Sequence, residues 1–244
     1  MSMIPNNAAV HCQMAQPYEN SPVRVWVVIA AYNEAAVIGR IINEVKRRGY
    51  TVAVVDDGSS DHTAEASAAA HVVVRHPINL GQGAALQTGI DFALERGADV
   101  IVTFDADGQH RAVDIEKLIQ AIRSDDVDFA LGSRFLGCSE GMPVSRRVLL
   151  KAATLFTQLT TGLRISDTHN GLRAMTPRGA RVVRLRQNRM AHASEMLSQI
   201  AASSLGYIEV PVTIEYSAYS LAKGQTVGDA LMILLDLFAR RLYR

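Results

Sequence analysis

The sequence predicts an α/β sandwich with a mainly parallel central sheet and helices on both faces. Short apolar segments rich in β-branched residues recur along the first half of the chain, and longer segments with helical spacing separate them. This alternation is typical of parallel sheets, whose strands are buried on both faces. Polar residues follow several of the apolar segments, at the sheet edge where ligands bind in such folds.

Five segments of the first half predict strands: "VRVWVVIAA" (23–31), "TVAVVD" (51–56), "HVVVRH" (71–76), "DVIVTFD" (99–105) and "VDFALGS" (127–133). Helices are expected between them, at residues 34–49, 61–70, 81–97 and 112–124. The first has apolar residues at helical spacing and ends at a glycine: Val37, Ile38, Ile41, Ile42, Val45 and Gly49.

The second half is less regular. We expect helices at residues 148–160 and 194–206, a polar loop "SDTHNGLRAM" between them, a strand at 207–216 and a terminal helix.

Composition favours one ordinary globular domain. The 244 residues are 48% hydrophobic and 20% charged, with a formal net charge of +1, which gives no reason to expect a nucleic-acid partner. Two cysteines, Cys12 and Cys138, are consistent with a reducing cytoplasm. Residues 1–22 have no signal-peptide pattern and are expected to be a flexible leader, and no apolar run is long enough for a membrane span.

The segment "DADGQH" follows the predicted fourth strand and places Asp105 and Asp107 two residues apart. In extended backbone both carboxylates point to one side, which suits a hard divalent cation completed by substrate phosphate oxygens. Gln109 and His110 lie within reach of the same ion. The alternative is a solvated acidic turn.

The loops "AYNEAA" and "VVDDGSSDHT" follow the first and second strands and are expected at the same edge. Asn33, Ser60 and Asp61 are expected to be helix caps and Gly58 a turn residue. Capping leaves the acidic pair Asp56 and Asp57 without an explanation.

Seven blocks occur in the order seen in family 2 glycosyltransferases: "AYNEAAVIGRII", "VVDDGSSDHTAE", "NLGQGAALQTGIDFA", "FDADGQH", "LGSRF", "DTHNGLRAM" and "YIEVPV". Across residues 23–225 the chain resembles the polyprenyl-phosphate and dolichyl-phosphate sugar synthases of that family. The resemblance implies the GT-A (Rossmann-like) fold for this domain.

The resemblance also implies roles for single residues. Those implied to bind the nucleotide sugar are Tyr32, Glu34, Val55, Asp57, Asp105, Ala106, Asp107 and Lys223. The metal, Mg²⁺ or Mn²⁺, is assigned to Asp105, Asp107 and Gln109, and the acceptor to Arg134, Arg146 and Arg173. Asp105, Asp107, Arg134 and Asp167 are the implied catalytic residues. The chain departs from the family pattern at Ala30, where proline is usual, and at Ser217, where arginine is usual.

The implied activity is inverting, metal-dependent transfer of a hexose from a GDP-mannose or UDP-glucose type donor to polyprenyl phosphate. A phosphate monoester is already anionic near pH 7, so it needs cations rather than a strong base. One alternative is a family 2 transferase that acts on a sugar hydroxyl in cell-envelope glycan synthesis, with Glu195 as candidate base. A non-catalytic nucleotide-sugar-binding subunit is another alternative. The glycines of "NLGQGAAL" only partly match a dinucleotide fingerprint.

Residues 226–244 predict an apolar helix that ends in Arg240, Arg241 and Arg244. Such a helix suits a membrane surface, which predicts a cytoplasmic protein that is peripheral on the membrane. The alternatives are a helix packed on the sheet, a contact in a homo-oligomer or an interaction with a membrane-anchoring partner.

Overall fold

The computed structural model describes residues 23–187, 191–217 and 219–220. Over these residues the chain forms one sheet of seven strands with helices on both faces. The strands are β1 (Val25–Ala31), β2 (Thr51–Asp56), β3 (Val72–Arg75), β4 (Val100–Asp105), β5 (Phe129–Glu140), β6 (Arg173–Met175) and β7 (Tyr207–Glu215). The helices are α1 (Ile38–Lys46), α2 (Thr63–Ala66), α3 (Gln82–Glu95), α4 (Asp114–Ser124), α5 (Val144–Thr161), α6 (Pro177–Val182) and α7 (Ala191–Ala202).

The strand order is β3-β2-β1-β4-β6-β5-β7. Strands β1 to β4 pair in parallel, and β5 pairs in parallel with β7. Strand β6 is antiparallel to both of its neighbours, β4 and β5. The predicted mainly parallel α/β sandwich is therefore confirmed.

The predicted β-branched segments form the strands, and their side chains are buried in two apolar clusters, one on each face of the sheet. On one face, α1 buries the expected residues Ile38, Ile41, Ile42 and Val45. On the other, α3 packs through Leu86 and Ile90. The first half of the chain thus fixes β1, β2 and β4 with their carboxyl ends at one edge.

Of the three predicted helix caps, Asn33 and Ser60 are not caps, whereas Asp61 Oδ1 accepts from the backbone N–H of Thr63 (3.0 Å), the first residue of α2. Helices α1 and α2 begin after Val37 and His62, and neither of these cap residues makes a side-chain cap hydrogen bond. Instead the loops after β1 and β2 bind each other, because Ser60 N donates to Asn33 Oδ1 (2.9 Å) and Ala35 N donates to Asp61 (3.2 Å). Gly58 has a φ of +69° and is a turn residue as predicted.

Two other elements differ in extent from the prediction. The helix expected at 61–70 is helical only at Thr63–Ala66, whereas β5 continues beyond Ser133 to Glu140, with an irregularity in its pairing to β7. No helix in the described part of the chain is long and apolar enough to span a bilayer. The predicted leader and terminal helix lie outside the described residues.

Candidate active site

A cavity of about 680 Å³ opens where β1, β2 and β4 end. The loops after these strands form one part of its lining, and residues of β5 and α5 form another part, called the wall below. This is the place that the parallel topology predicts for a ligand.

The cavity brings together most of the residues assigned from the sequence: Tyr32, Glu34, Asp57, Asp105, Ala106, Asp107, Gln109, Arg134 and Arg146. Three others do not line it. Val55 is fully buried within β2, and Asp167 and Arg173 are buried behind the wall. Lys223 lies outside the described residues.

Asp105 is the last residue of β4 and is held by two side chains. Gln82 Nε2 donates to its Oδ1 (3.1 Å), and His110 Nε2 lies 3.1 Å from its Oδ2. The backbone of Gly171 approaches the same carboxylate so closely that a Cβ at position 171 would collide with it. Asp105 is therefore fixed in place before any ligand arrives.

The two carboxylates differ in charge environment. Burial alone would raise the pKa of Asp105, but the hydrogen bond and charge of His110 hold it below its ordinary value, assisted by His192 and Arg173. Burial and the negative charge of Asp105 raise the pKa of Asp107 to about 6. Asp107 thus carries negative charge that the protein alone does not neutralise.

These residues fit a divalent cation of the Mg²⁺ or Mn²⁺ type. Among the described residues, no group of three or more His, Cys, Asp or Glu is arranged to hold a metal. Such ions are commonly bound through one or two carboxylates, with water and substrate phosphates as the remaining ligands. The crowded pair Asp105 and Asp107, with Gln109 beside it, matches that donor set.

The acidic residues of the first two loops have structural partners. Asp57 accepts hydrogen bonds from Leu80 N (2.9 Å) and Gly81 N (2.7 Å), and His76 Nδ1 lies 2.8 Å from it. It therefore holds the loop before α3 against the cavity. Asp56 is fully buried and accepts from Ser59 N (3.0 Å).

Glu34 lies where the loop after β1 meets the segment after β7. Its backbone N–H donates to Thr63 Oγ1 (2.8 Å), and its Oε2 accepts from the Tyr219 hydroxyl (2.7 Å). The described part of the "YSAYSLAKGQ" segment thus reaches Glu34, which lines the cavity and for which the sequence predicts a role in nucleotide-sugar binding.

Arg134 and Asp167 form a buried ion pair, with Arg134 Nε 2.6 Å from Asp167 Oδ2. The other guanidinium nitrogens donate to the Tyr216 hydroxyl and to the His169 carbonyl, both at 2.6 Å. Burial alone would lower the pKa of Arg134, but the charges and hydrogen bonds of Asp167 and Tyr216 raise it. The pair joins β5 to the loop before β6 and builds the wall of the cavity.

Arg173 also supports that loop. It is 5% exposed and donates to the carbonyls of Asn170 and Thr168, both at 3.0 Å. Burial lowers its pKa to about 10, against the opposing charges of Asp105 and Asp167. These hydrogen bonds indicate that Arg173 stabilises the loop before β6. Its assigned contact with the acceptor stays a prediction.

Arg146, on α5, is a cation at the cavity surface. Its guanidinium carbon lies 5.1 Å from the centre of the Tyr216 ring, in the range of a cation–π contact. Within the described residues it makes no hydrogen bond or ion pair, so its donors are available to an anion.

Gln82 and His169 also line the cavity, and the sequence analysis above predicts no role for either. Gln82 is the first residue of α3, and its position after the third strand was a usable signal. His169 lies in the quoted block "DTHNGLRAM", but its neighbours come from β5 and α7, which local sequence does not reveal. The candidate base Glu195 does not line the cavity, and its Oε2 accepts from the amides of Arg186 and Gln187, both at 2.9 Å.

Comparison with known proteins identifies the family. Residues 26–178 match the glycosyl transferase family 2 model. The chain is 33% identical to a UDP-N-acetylglucosamine–dolichyl-phosphate N-acetylglucosaminyltransferase of Methanococcus voltae, over 89% of this chain and 94% of that protein. It is 31% identical to an undecaprenyl-phosphate mannosyltransferase of Micrococcus luteus, over 86% and 92% of the two chains.

A solved structure of similar fold is glucosyl-3-phosphoglycerate synthase from Mycobacterium tuberculosis, in complex with Mn²⁺, UDP-glucose and phosphoglyceric acid. The TM-score is 0.65 at 15% identity, and the match covers 89% of this chain and 79% of that one. This likeness confirms the predicted GT-A fold. With the family match over residues 26–178, it follows that this chain is a glycosyltransferase and belongs to family 2.

Proposed function

We propose that the protein transfers a sugar from a nucleotide sugar to polyprenyl phosphate, with inversion and with a divalent metal. Relatives named for dolichyl phosphate and undecaprenyl phosphate match most of this chain, which supports the acceptor class. Their names give N-acetylglucosamine for one and mannose for the other, so the proposed donor class covers both UDP-sugars and GDP-mannose.

One observation carries the proposal: a single cavity is lined both by the carboxylates of Asp105 and Asp107 and by Arg146, whose donors are unengaged within the described residues. A sugar between them would have its leaving diphosphate at the carboxylates and an anionic acceptor at Arg146. This arrangement suits transfer between two phosphate groups.

The surface of α5 supports a lipid acceptor. Four of its apolar side chains are strongly exposed, and their spacing places them on one face of the helix: Val144, Val148, Leu155 and Leu159. Arg146 and Leu150, on the other side of the same helix, line the cavity. A helix with one face on the cavity and an apolar face outside suits a membrane surface next to the acceptor's hydrocarbon chain.

Different residues of the cavity would bind the cation and the acceptor phosphate. Asp105, Asp107 and Gln109 would hold the cation, which when bound neutralises charge on the leaving diphosphate. Arg146 orients the acceptor phosphate, which has a second pKa of about 6 and is already anionic near pH 7. The reaction therefore needs positioning and electrostatic stabilisation rather than a strong general base.

A sugar-hydroxyl acceptor would need such a base. The residue assigned to that task, Glu195, lies away from the cavity lining and binds backbone amides, so the geometry favours the phosphate acceptor.

The acceptor class is tested with two lipids that differ only in the phosphate. The protein is incubated with Mn²⁺ and UDP-N-acetylglucosamine, UDP-glucose or GDP-mannose, and release of nucleoside diphosphate is measured with undecaprenyl phosphate or with undecaprenol. We expect release with at least one donor that depends on the phosphorylated lipid. Equal release with undecaprenol, or release stimulated only by a free sugar, would overturn the proposal.

A further inference from the structure

His169 is a cavity residue held by its backbone on both sides. Its N–H donates to Asp167 Oδ1 (3.3 Å), and its carbonyl accepts from Arg134 (2.6 Å). The carbonyls of the adjacent Thr168 and Asn170 both accept from Arg173. Two buried arginines therefore fix the backbone that carries the His169 ring.

The imidazole has hydrogen-bonding capacity that the described protein does not use. Its Nδ1 is buried and has no hydrogen-bond partner among the described residues. Buried polar atoms are nearly always paired, so an unpaired one beside a ligand cavity calls for an explanation.

The ring is also uncharged near neutral pH. Burial lowers the pKa of His169 to about 4, with help from the positive charges of Arg173 and Arg134 and against the attraction of Asp167. A neutral imidazole offers one N–H and one lone pair. It suits a hydroxyl or amide group better than a phosphate, for which the nearby arginine side chains are stronger partners.

The location of His169 indicates which part of the substrate it meets. Gly171, two residues later, packs against the Asp105 carboxylate, and Arg134 joins His169 to the wall that carries Arg146. His169 thus borders the space between the proposed metal end and the proposed acceptor end. In the transfer proposed above, that space holds the sugar itself.

We propose that His169 is a specificity-determining residue that hydrogen-bonds an uncharged polar substituent, a hydroxyl or an acylamino group, of the transferred sugar. The inference rests on the proposed function, because it takes the donor to be a nucleotide sugar. In this role His169 determines which sugar is transferred, whereas other groups bind the nucleotide and the acceptor phosphate.

The test compares donor discrimination in the wild type and in His169→Phe, which keeps a ring but removes both nitrogens. After the preferred donor is found among UDP-N-acetylglucosamine, UDP-glucose and GDP-mannose, kcat/KM is measured for that donor and for analogues that each lack one polar substituent. When a donor analogue lacks a substituent that the enzyme hydrogen-bonds, its kcat/KM is lower by at least about tenfold. We expect His169→Phe to abolish the discrimination at one substituent and to keep it at the others, with UDP or GDP affinity unchanged.

His62→Phe is the matched control, because the His62 side chain is 91% exposed. His169→Ala gives a second version of the test if the phenylalanine variant does not fold, because it also removes the ring nitrogens. A wild-type discrimination pattern in the variant, or an equal loss for every analogue, would overturn the role of His169 and leave the proposed function standing. Absence of turnover by the wild type with all three donors and undecaprenyl phosphate would overturn the proposed function and this inference together.

Discussion

Replacing Asp107 by asparagine should stabilise the metal-free protein while abolishing activity. Burial and the charge of Asp105 raise the pKa of Asp107 from 3.8 to about 6, so an ionised Asp107 destabilises the fold at pH 7. A shift of about 2 units at about 1.4 kcal/mol per unit gives about 3 kcal/mol. Solvent screening of this partly exposed side chain reduces the effect, and we expect a gain of about 1 to 2 kcal/mol.

The effect has a defined pH dependence. A raised folded-state pKa contributes stability that is fully present below the unfolded value of 3.8 and is lost as the pH rises through about 6. Wild-type Asp107 is therefore mostly protonated at pH 5, where the advantage of Asp107→Asn should shrink. The lowered pKa of Asp105 stabilises the fold at pH values above 3.8, and this stabilisation is lost only as the pH falls below that value.

Urea unfolding at pH 7 and pH 5, with chelator present, measures this difference. Adding Mn²⁺ and UDP should then stabilise the wild type but not Asp107→Asn, because a ligand stabilises the state that binds it. Asp125→Asn, at an exposed carboxylate after α4, is the control and should behave as the wild type. An Asp107→Asn protein that is less stable than the wild type at pH 7, or that gains equally from Mn²⁺ and UDP, would refute the reasoning.

Three further predictions concern the acceptor side. Asp167→Asn should lower the free energy of unfolding in urea by about 3 kcal/mol, because it leaves the buried Arg134 unpaired; unchanged stability would show that Asp167 is not needed for the wall. Arg146→Ala should raise the apparent KM for undecaprenyl phosphate about tenfold with donor affinity unchanged. The exposed control Arg147→Ala should leave this KM unchanged. Equal weakening of donor binding by Arg146→Ala would show that Arg146 contacts the donor. Serine at both Leu155 and Leu159 should reduce co-sedimentation with anionic liposomes without changing donor affinity, and undiminished binding would place the membrane contact elsewhere.

The sequence predicts the first half of the fold well because its signals there are local. Strands β1 to β4 are short β-branched runs, and α1 has its apolar residues at helical spacing. Strand β6 escapes prediction because it has three residues, Arg173–Met175, in a polar segment, and its pairing with β4 and β5 depends on distant parts of the chain. The extension of β5 likewise depends on β7.

The same distinction applies to the site. Motifs at strand ends predict that Asp105, Asp107 and Gln109 lie at the ligand-binding edge of the sheet, because the loops that follow parallel strands lie at one edge. A charged residue's sequence position does not say whether its donors are free. Arg134 has every guanidinium nitrogen bonded within the protein, whereas Arg146 faces the cavity unpaired within the described residues. The neutral state of His169 follows from its burial among cations that meet only in the folded chain.

The central claim is that a sugar is transferred onto a lipid phosphate. Mass spectrometry of the lipid extracted after incubation with undecaprenyl phosphate, Mn²⁺ and the preferred donor tests it most directly. We predict a product heavier than undecaprenyl phosphate by one sugar residue, formed by the wild type and absent with chelator or with Asp107→Asn. An unmodified lipid, despite release of nucleoside diphosphate from the donor, would contradict the account.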